Sequence, residues 1–442
     1  MTTDNLYPEK ISGAEILMRS LVAEGVETLF GYPGGAIMPV YDALYDYRDR
    51  LNHILVRHEQ AAAHAAEGYA RVSGRVGVCL VTSGPGATNT ITGIADAMMD
   101  STPIVVIMGQ VGAQMLGSDA FQECDMVDIT QPICKWAYQI RSAKDVAWAV
   151  SRAFYIAGSG RPGPVVLDFA KNAQMELAEY LPAKIDFIRS YVPVPSTPPE
   201  SIEQAVALIN GAERPLVLVG QGVELGHAQD ELRTMIEKCG APAGCTLLGL
   251  SALPSDHPLN VGMLGMHGSL GANKNTQKCD VLIAVGMRFD DRITGKLDTY
   301  ARQAKIIHFD IDTSEFNKNV KVDVAVPGDC KHTLQAVTAL LNEREHTEWR
   351  ESFRLYDREE AAKIILPQTQ PDSGPLRMAE VVRKVSEMTR NEAILVTDVG
   401  QNQMFAARYF KFTKKRSLAT SGGMGTMGYG LPAAIGATFG AR

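Results

Sequence analysis

The chain has 442 residues, 45% of them hydrophobic and 21% charged, and a net charge of -7; at roughly 150 residues per domain that predicts about three soluble domains, and the acidic balance leaves no electrostatic footprint for nucleic acid. Its seven cysteines include no Cys-x-x-Cys pair, which suggests neither a zinc site nor a disulfide framework and suits a reducing cytosol. No apolar run reaches the ~18 residues that span a bilayer, and the polar Met1 to Lys10 with Pro8 does not read as a signal peptide, so a cytoplasmic protein with no membrane or nucleic-acid partner is expected.

Residues 9–180 alternate short apolar runs with helical patterns: Leu29-Phe30-Gly31, Val76-Gly77-Val78-Cys79-Leu80-Val81-Thr82, Pro103-Ile104-Val105-Val106-Ile107-Met108 and Pro164-Val165-Val166-Leu167-Asp168-Phe169. Continuous β-branched runs separated by helices predict buried parallel strands, with a ligand at their carboxyl ends. Tyr191 to Glu200 holds four prolines in ten residues and reads as a linker. A second unit over 200–335 repeats the pattern with Pro215-Leu216-Val217-Leu218-Val219, Asp280-Val281-Leu282-Ile283-Ala284-Val285 and Lys305-Ile306-Ile307-His308-Phe309-Asp310. Residues 336–375 are charged, helical and then proline-bearing, as a second connection would be. A third unit, 376–442, opens with strand Ala393-Ile394-Leu395-Val396-Thr397-Asp398 and is expected to be incomplete, because its few strands would leave an edge and one apolar face uncovered. The Lys414-Lys415-Arg416 trio reads as a solvated loop. The fold class expected is α/β, with three doubly wound parallel-sheet domains and the third truncated.

The most informative stretch is Val56-Arg57-His58-Glu59-Gln60-Ala61-Ala62-Ala63-His64-Ala65-Ala66-Glu67-Gly68-Tyr69-Ala70-Arg71. It sets one carboxylate, Glu59, where an extended segment gives way to a helix of small residues, which lets neighbouring elements or a ligand approach closely. Upstream lies Tyr32-Pro33-Gly34-Gly35 and downstream Thr82-Ser83-Gly84-Pro85-Gly86-Ala87-Thr88-Asn89, each following a predicted strand. Taken singly, these are a helix-start glutamate and two turns.

Together the three segments resemble the acetohydroxyacid synthase (acetolactate synthase) family of thiamine-diphosphate enzymes. The resemblance makes 9–180 a pyrimidine-binding domain, 200–335 a central FAD-binding domain and 376–442 the start of a diphosphate-binding domain. It assigns Glu59 the hydrogen bond to the aminopyrimidine N1′ that promotes loss of the thiazolium C2 proton. Tyr32, Gly34 and Asn89 are then cofactor contacts, and Gly35 lies beside the reacting carbon. Phe121 and Gln122 face the cavity for the second ketoacid, with Lys171 at the substrate entrance. Val399, Gly400, Gln401 and Asn402 lie near the diphosphate, Gly425 accepts from the 4′ amino group, and Met427 bends the cofactor. The Mg²⁺-binding motif of the family lies beyond Arg442, so turnover by the 442-residue chain alone is not expected.

The resemblance further implies FAD contacts from Arg161, Gly220, Gly222, Met266, His267, Gly268, Gly286, Arg288, Asp290, Arg292, Asp310, Ile311 and Asp329. Glycines would admit the pyrophosphate, guanidinium groups would offset its charge, and carboxylates would accept ribose or adenine hydrogen bonds. None of these segments is a Gly-x-Gly-x-x-Gly fingerprint, and Arg288 and Arg292 read alone are salt-bridge partners of Asp290 or Asp291. The implied function is condensation of pyruvate with pyruvate or 2-ketobutyrate, giving 2-acetolactate or 2-aceto-2-hydroxybutyrate for branched-chain amino acids. Cofactors are thiamine diphosphate, Mg²⁺ and a mainly structural FAD; partners are a second copy in a homodimer or homotetramer and a regulatory small subunit. Two alternatives stand beside it: an FAD-linked pyruvate oxidase, and a non-catalytic truncated subunit.

Overall fold

The computed structural model describes residues 9–441. The chain divides into two compact units, one formed by residues up to Tyr191 together with those from Gly423 onward, the other by Val192–Gly422.

In the first unit, a short antiparallel pair joins β1 (Lys10–Ser12) to a strand, β8, at Leu177–Glu179. Between them run β2 (Thr28–Gly31), β3 (Asn52–Leu55), β4 (Gly77–Val81), β5 (Ile104–Gln110), β6 (Trp136–Ile140) and β7 (Val165–Ala170), which form one parallel sheet in the order β3-β2-β4-β5-β7-β6. The apolar runs are continuous because both faces are covered. Val78, Leu80, Val105 and Ile107 enter one core, whereas Cys79, Val81, Val106 and Met108 enter the other.

The second unit repeats the plan. Strands β9 (Pro215–Val219), β10 (Ala243–Cys245), β11 (Asn260–Met263), β12 (Val281–Val285), β13 (Lys305–Asp310) and β14 (Val324–Pro327) form a parallel sheet ordered β11-β10-β9-β12-β13-β14. Val217, Ile283 and Ile307 fill one face; Leu216, Leu218 and Leu282 fill the other. Segment 336–375, read as a connection, is packed. Trp349 and Phe353 of helix Thr347–Glu360 lie in the Leu216 core, and the Trp349 indole donates to the Pro215 carbonyl at 2.7 Å. The strand read at 393–398 narrows to β15 (Leu395–Val396), paired in parallel with β16 (Leu418–Ala419). Phe410, Phe412 and Leu418 join the Val217 core.

The basic trio at 414–416 is not uniformly solvated. Lys414 and Lys415 pair with Glu392 and Asp230 at 3.1 and 2.8 Å, but the Arg416 guanidinium donates to the Glu224 carbonyl and its backbone N–H to the Glu224 carboxylate, both at 2.9 Å. No helix of the described residues is long and apolar enough to cross a membrane.

Helix Glu59–Ser73 touches helix Gly430–Gly440 of the same unit backbone to backbone. A Cβ on Gly436 would stand 1.8 Å from the Ala65 carbonyl oxygen, and one on Gly68 2.1 Å from that of Ala433. Gly436→Ala or Gly68→Ala should therefore lower stability by about 3 kcal/mol, as overpacking does. Gly211→Ala, where a Cβ meets nothing within 4 Å, should be neutral or slightly stabilising. Urea midpoints of the three variants compare these expectations.

Candidate active site

Three loops at the carboxyl ends of β2, β3 and β4 build the site, where an α/β sheet places ligands. After β2 the chain turns through Tyr32 to Ala36, held by the Tyr32 N–H on the Leu80 carbonyl at 3.1 Å. After β3, His58 is extended (φ −157°) and its Nδ1 accepts from the Gln60 N–H at 3.2 Å, so the helix begins at Glu59. After β4, Thr82 to Asn89 leads through the short helix Pro85–Thr88 into helix Ile91–Met99.

Glu59 is 9% exposed and its Oε2 accepts from Asn89 Nδ2 at 2.9 Å. A Cβ on Gly86 would stand 2.6 Å from the Thr82 methyl and 3.3 Å from Glu59 Oε1, and one on Gly34 2.5 Å from the same methyl, so bare backbone at Gly86 lies against the carboxylate and at Gly34 against Thr82. Thr82 Oγ1 and Ser83 Oγ are buried with no hydrogen-bond partner, a cost that native structures keep where another group completes the site. Gly84 (φ +54°) lies against Gln122, whose backbone O would be 2.9 Å from a Cβ there. Lys171 Nζ donates to the Gly35 carbonyl at 3.1 Å, and Gly35 itself has open space.

Glu59, Asn89, Gly34, Gly35, Gln122 and Lys171 are thus connected through Thr82, Gly84 and one another. Tyr32 is half-buried beside them in sequence, whereas the Phe121 side chain is 87% exposed. Sequence reasoning gave no role to Thr82, Ser83 or a buried carboxylate beneath the Phe121 loop. Asp168 of β7 accepts through Oδ2 from Gln139 Nε2 at 2.8 Å and Gln110 Nε2 at 3.1 Å; Gln110 Nε2 also donates to the Cys124 carbonyl at 2.7 Å. One acid in an otherwise apolar strand run was the available signal. Above it, the Glu123 carboxylate accepts from the Gly117 and Ala120 N–H groups, which hold it below the usual carboxylate range.

In the second unit, Gly400 (φ +79°) precedes helix Gln401–Tyr409, the Asp398 N–H donates to Asn402 Oδ1 and the Val399 N–H to Asp398 Oδ1, both at 2.9 Å. Val399, Gly400, Gln401 and Asn402 therefore sit at a helix N-terminus, an anion-favouring place. Gly425 (φ +68°) and Met427, 78% exposed, belong to the first unit.

Gly220, Gly222 and Gly286 follow β9 and β12 and cross directly: the Gly222 N–H donates to the Gly286 carbonyl at 2.9 Å, and a Cβ on Gly220 would be 2.0 Å from that oxygen. Asp310 ends β13 and Ile311 follows it, and Asp329 after β14 caps helix Cys330–Leu340 by accepting from the His332 N–H at 3.0 Å. Arg288 and Arg292 make long ion pairs, 3.9 Å to Asp290 and 3.7 Å to Asp291, while Asp290 caps helix Asp291–Thr294. The Met266 N–H donates to the Arg292 carbonyl at 2.8 Å, and the carbonyls of His267 and Gly268 accept from Arg408 at 2.9 and 2.7 Å. Arg161 lies in the first unit, its Nε donating to Ser101 Oγ at 2.8 Å.

Three profiles of the thiamine pyrophosphate enzymes match: the N-terminal TPP binding domain over residues 11–129, the central domain over 202–337 and the C-terminal TPP binding domain over 398–442. Over 441 residues the chain is 46% identical to the probable acetolactate synthase large subunit of Methanocaldococcus jannaschii, covering 97% of this chain and 73% of that protein. It is 43% identical over 438 residues to the acetolactate synthase isozyme 3 large subunit of Escherichia coli, covering 97% and 75%, and 45% identical over 448 residues to the large subunit of Corynebacterium glutamicum, covering 98% and 69%. The chain belongs to the acetolactate synthase large-subunit family.

In this member of the acetolactate synthase family, burial pushes the Asp168 carboxyl up to about 6, the Gln139 and Gln110 amides pulling it part of the way back. The folded chain then keeps a proton that an unfolded aspartate, near 3.8, has released. Stability therefore falls as pH rises between those values, by at most about 3 kcal/mol, and levels off above. Asp168→Asn should remove this contribution and leave that of the other raised carboxyls, Asp357 and Glu67. Urea melts of wild type and variant between about pH 4 and about pH 7 check it, and parallel curves would remove Asp168 as the titrating group.

Proposed function

We propose that this chain condenses pyruvate with a second 2-ketoacid to form 2-acetolactate or 2-aceto-2-hydroxybutyrate, at the head of branched-chain amino-acid synthesis. The observation that carries the reading is the hydrogen bond from Asn89 to buried Glu59, near the bare Gly86 backbone and two partnerless hydroxyls, in a chain 43–46% identical to three relatives named as acetolactate synthase large subunits. Thiamine diphosphate fits there: Gly35 faces open space, and Thr82 Oγ1 and Ser83 Oγ offer polar atoms that no hydrogen bond engages. When bound, it supplies the carbanion chemistry that decarboxylates pyruvate and passes a two-carbon unit to the acceptor.

The protein's own share is proton placement and binding. Glu59 holds a proton at the pyrimidine N1′, and Asn89 fixes its carboxylate by donating to Oε2. Tyr32, Gly34 and Gly35 line the approach to the reacting carbon, and Lys171, tied to the Gly35 carbonyl, draws in the ketoacid carboxylate. Gln122 and the exposed Phe121 meet the second ketoacid. Val399 to Asn402, at their helix start in the second unit, are assigned the diphosphate, with Mg²⁺ as counter-ion, and Gly425 and Met427, in the first unit, the 4′ amino group and the bend of the cofactor.

FAD is part of the proposal as a structural group, because carboligation transfers no net electrons. The loops after β9, β12, β13 and β14 support it, bringing Gly220, Gly222, Gly286, Arg288, Asp310 and Asp329 to the carboxyl ends of one sheet. The domain limits 9–180, 200–335 and 376–442 belong to the same proposal, as do a cytoplasmic location, a homodimer or homotetramer and a small-subunit partner, the last supported by relatives named as large subunits.

With pyruvate, thiamine diphosphate, Mg²⁺ and FAD supplied, a protein that carries this chain together with the family's Mg²⁺-binding segment should form acetolactate, and Glu59→Gln should lower its rate about 100-fold or more. Undiminished turnover in Glu59→Gln would overturn the assignment. Oxygen- or quinone-dependent loss of pyruvate without acetolactate would favour an oxidase instead.

A further inference from the structure

Beneath the site lies a polar cluster sealed from solvent. His64, Glu67 and Asp96 are all 0% exposed, with His64 Nδ1 2.8 Å from Glu67 Oε1 and 3.8 Å from Asp96 Oδ2. One turn further along, Arg71 pairs with Asp100 at 2.7 Å, and Asp100 accepts the Gly423 N–H through its other oxygen at 2.7 Å. The Tyr429 ring stands edge-on to His64, centroids 5.3 Å apart. Three ligand-type side chains lie together here, but a 2.8 Å Nδ1–Oε1 contact is a hydrogen-bond distance, so a proton occupies the position a cation would need. Burial also pushes the Glu67 carboxyl well above its ordinary range, with Arg71 opposing, which keeps that proton in place.

The cluster joins two helices at several points. His64, Glu67 and Arg71 belong to helix Glu59–Ser73; Asp96 belongs to helix Ile91–Met99 and Asp100 is its C-cap. Between them a Cβ on Gly93 would be 2.5 Å from the Ala63 Cβ, so the crossing is tight. Glu59 is the first residue of one helix, and Asn89 lies two residues before the other. The Gln60 amide extends the chain of contacts toward Glu59, 3.3 Å from His64 Nε2.

We infer that His64, Glu67 and Asp96 are positioning residues, a buried clamp that sets the Glu59–Asn89 pair by locking the two helices at whose starts that pair lies. The inference rests on the proposed role of Glu59. It gives the clamp influence over proton placement at the cofactor without contact with substrate, and it ties the segment from Gly423 to Tyr429 to the same frame.

The test is the rate at which thiamine diphosphate bound to the protein exchanges its C2 proton for deuterium, read by NMR after acid quench, alongside pyruvate KM and cofactor affinity by calorimetry. Glu67→Gln and Gly93→Ala disturb the clamp chemically and sterically. Each should slow exchange about tenfold while KM changes less than about twofold. In a Glu59→Gln background, Glu67→Gln should slow exchange no further, because its effect passes through Glu59. Additive losses in the double variant, or wild-type exchange in both single variants, would overturn the clamp. Exchange that survives Glu59→Gln alone would instead overturn the catalytic reading of Glu59, so the two failures are distinguishable. If Glu67→Gln does not fold, Gly93→Ala carries the same test without touching a titratable group.

Discussion

Helix Glu59–Ser73 can be buried on most of its circumference only because its inward faces carry alanine and glycine. Ala62, Ala63, Ala65, Ala66 and Ala70 are at most 1% exposed, so β4, helix Ile91–Met99 and helix Gly430–Gly440 all come to backbone distance. Larger side chains would hold those elements apart, and Glu59, at the helix start, would no longer meet Asn89. Alanine also favours the helix intrinsically, so local preference and packing agree along this stretch.

Small side chains bury little apolar area, and the same crossing must then accommodate charge. Glu67, Arg71, Asp96 and Asp100 are all at most 9% exposed. A buried ion pair such as Arg71–Asp100 adds little net stability against an apolar substitute, but loss of one partner strands the other at a cost of about 3–5 kcal/mol. Such a network specifies register better than it supplies energy: slippage of one helix by a turn would separate every pair at once. Close packing and buried charge therefore act on the same degree of freedom, the alignment of the two helices that start at the site.

The parallel strands were legible because both faces of each sheet are covered, which makes Val76 to Val81 or Val281 to Val285 read as unbroken apolar runs. The cofactor-side residues Glu59 and Asn89 were legible only through neighbouring motifs, since a glutamate at a helix start has no distinguishing pattern. What escaped the sequence is long-range. Trp349 looked like part of a charged connection, but its indole reaches the carbonyl of Pro215, 134 residues away. Arg416 looked like loop, yet it packs on Glu224 across 192 residues. Asp168 was visible as a lone acid in a strand, but its bonds to Gln110 and Gln139 depend on the order β5-β7-β6, which no local pattern gives.

The glycines of the two sheets answer different constraints at equivalent places. After β2 and β4, Gly34 and Gly86 pack tightly on the Thr82 side chain, whereas Gly35 faces open space. After β9 and β12, Gly220 and Gly286 press on each other, and a Cβ on either would enter the other loop or its neighbour Gly222. An alanine at Gly35 would fill open space before it disturbed the sheet and one at Gly34 or Gly86 would push on Thr82, whereas an alanine in the second set would separate adjacent strands whether or not a dinucleotide were present. Glycine at the carboxyl end of a strand is thus ambiguous in sequence, and only its nearest neighbour in space, side chain, void or backbone, decides between a place for a ligand and a place for the chain itself.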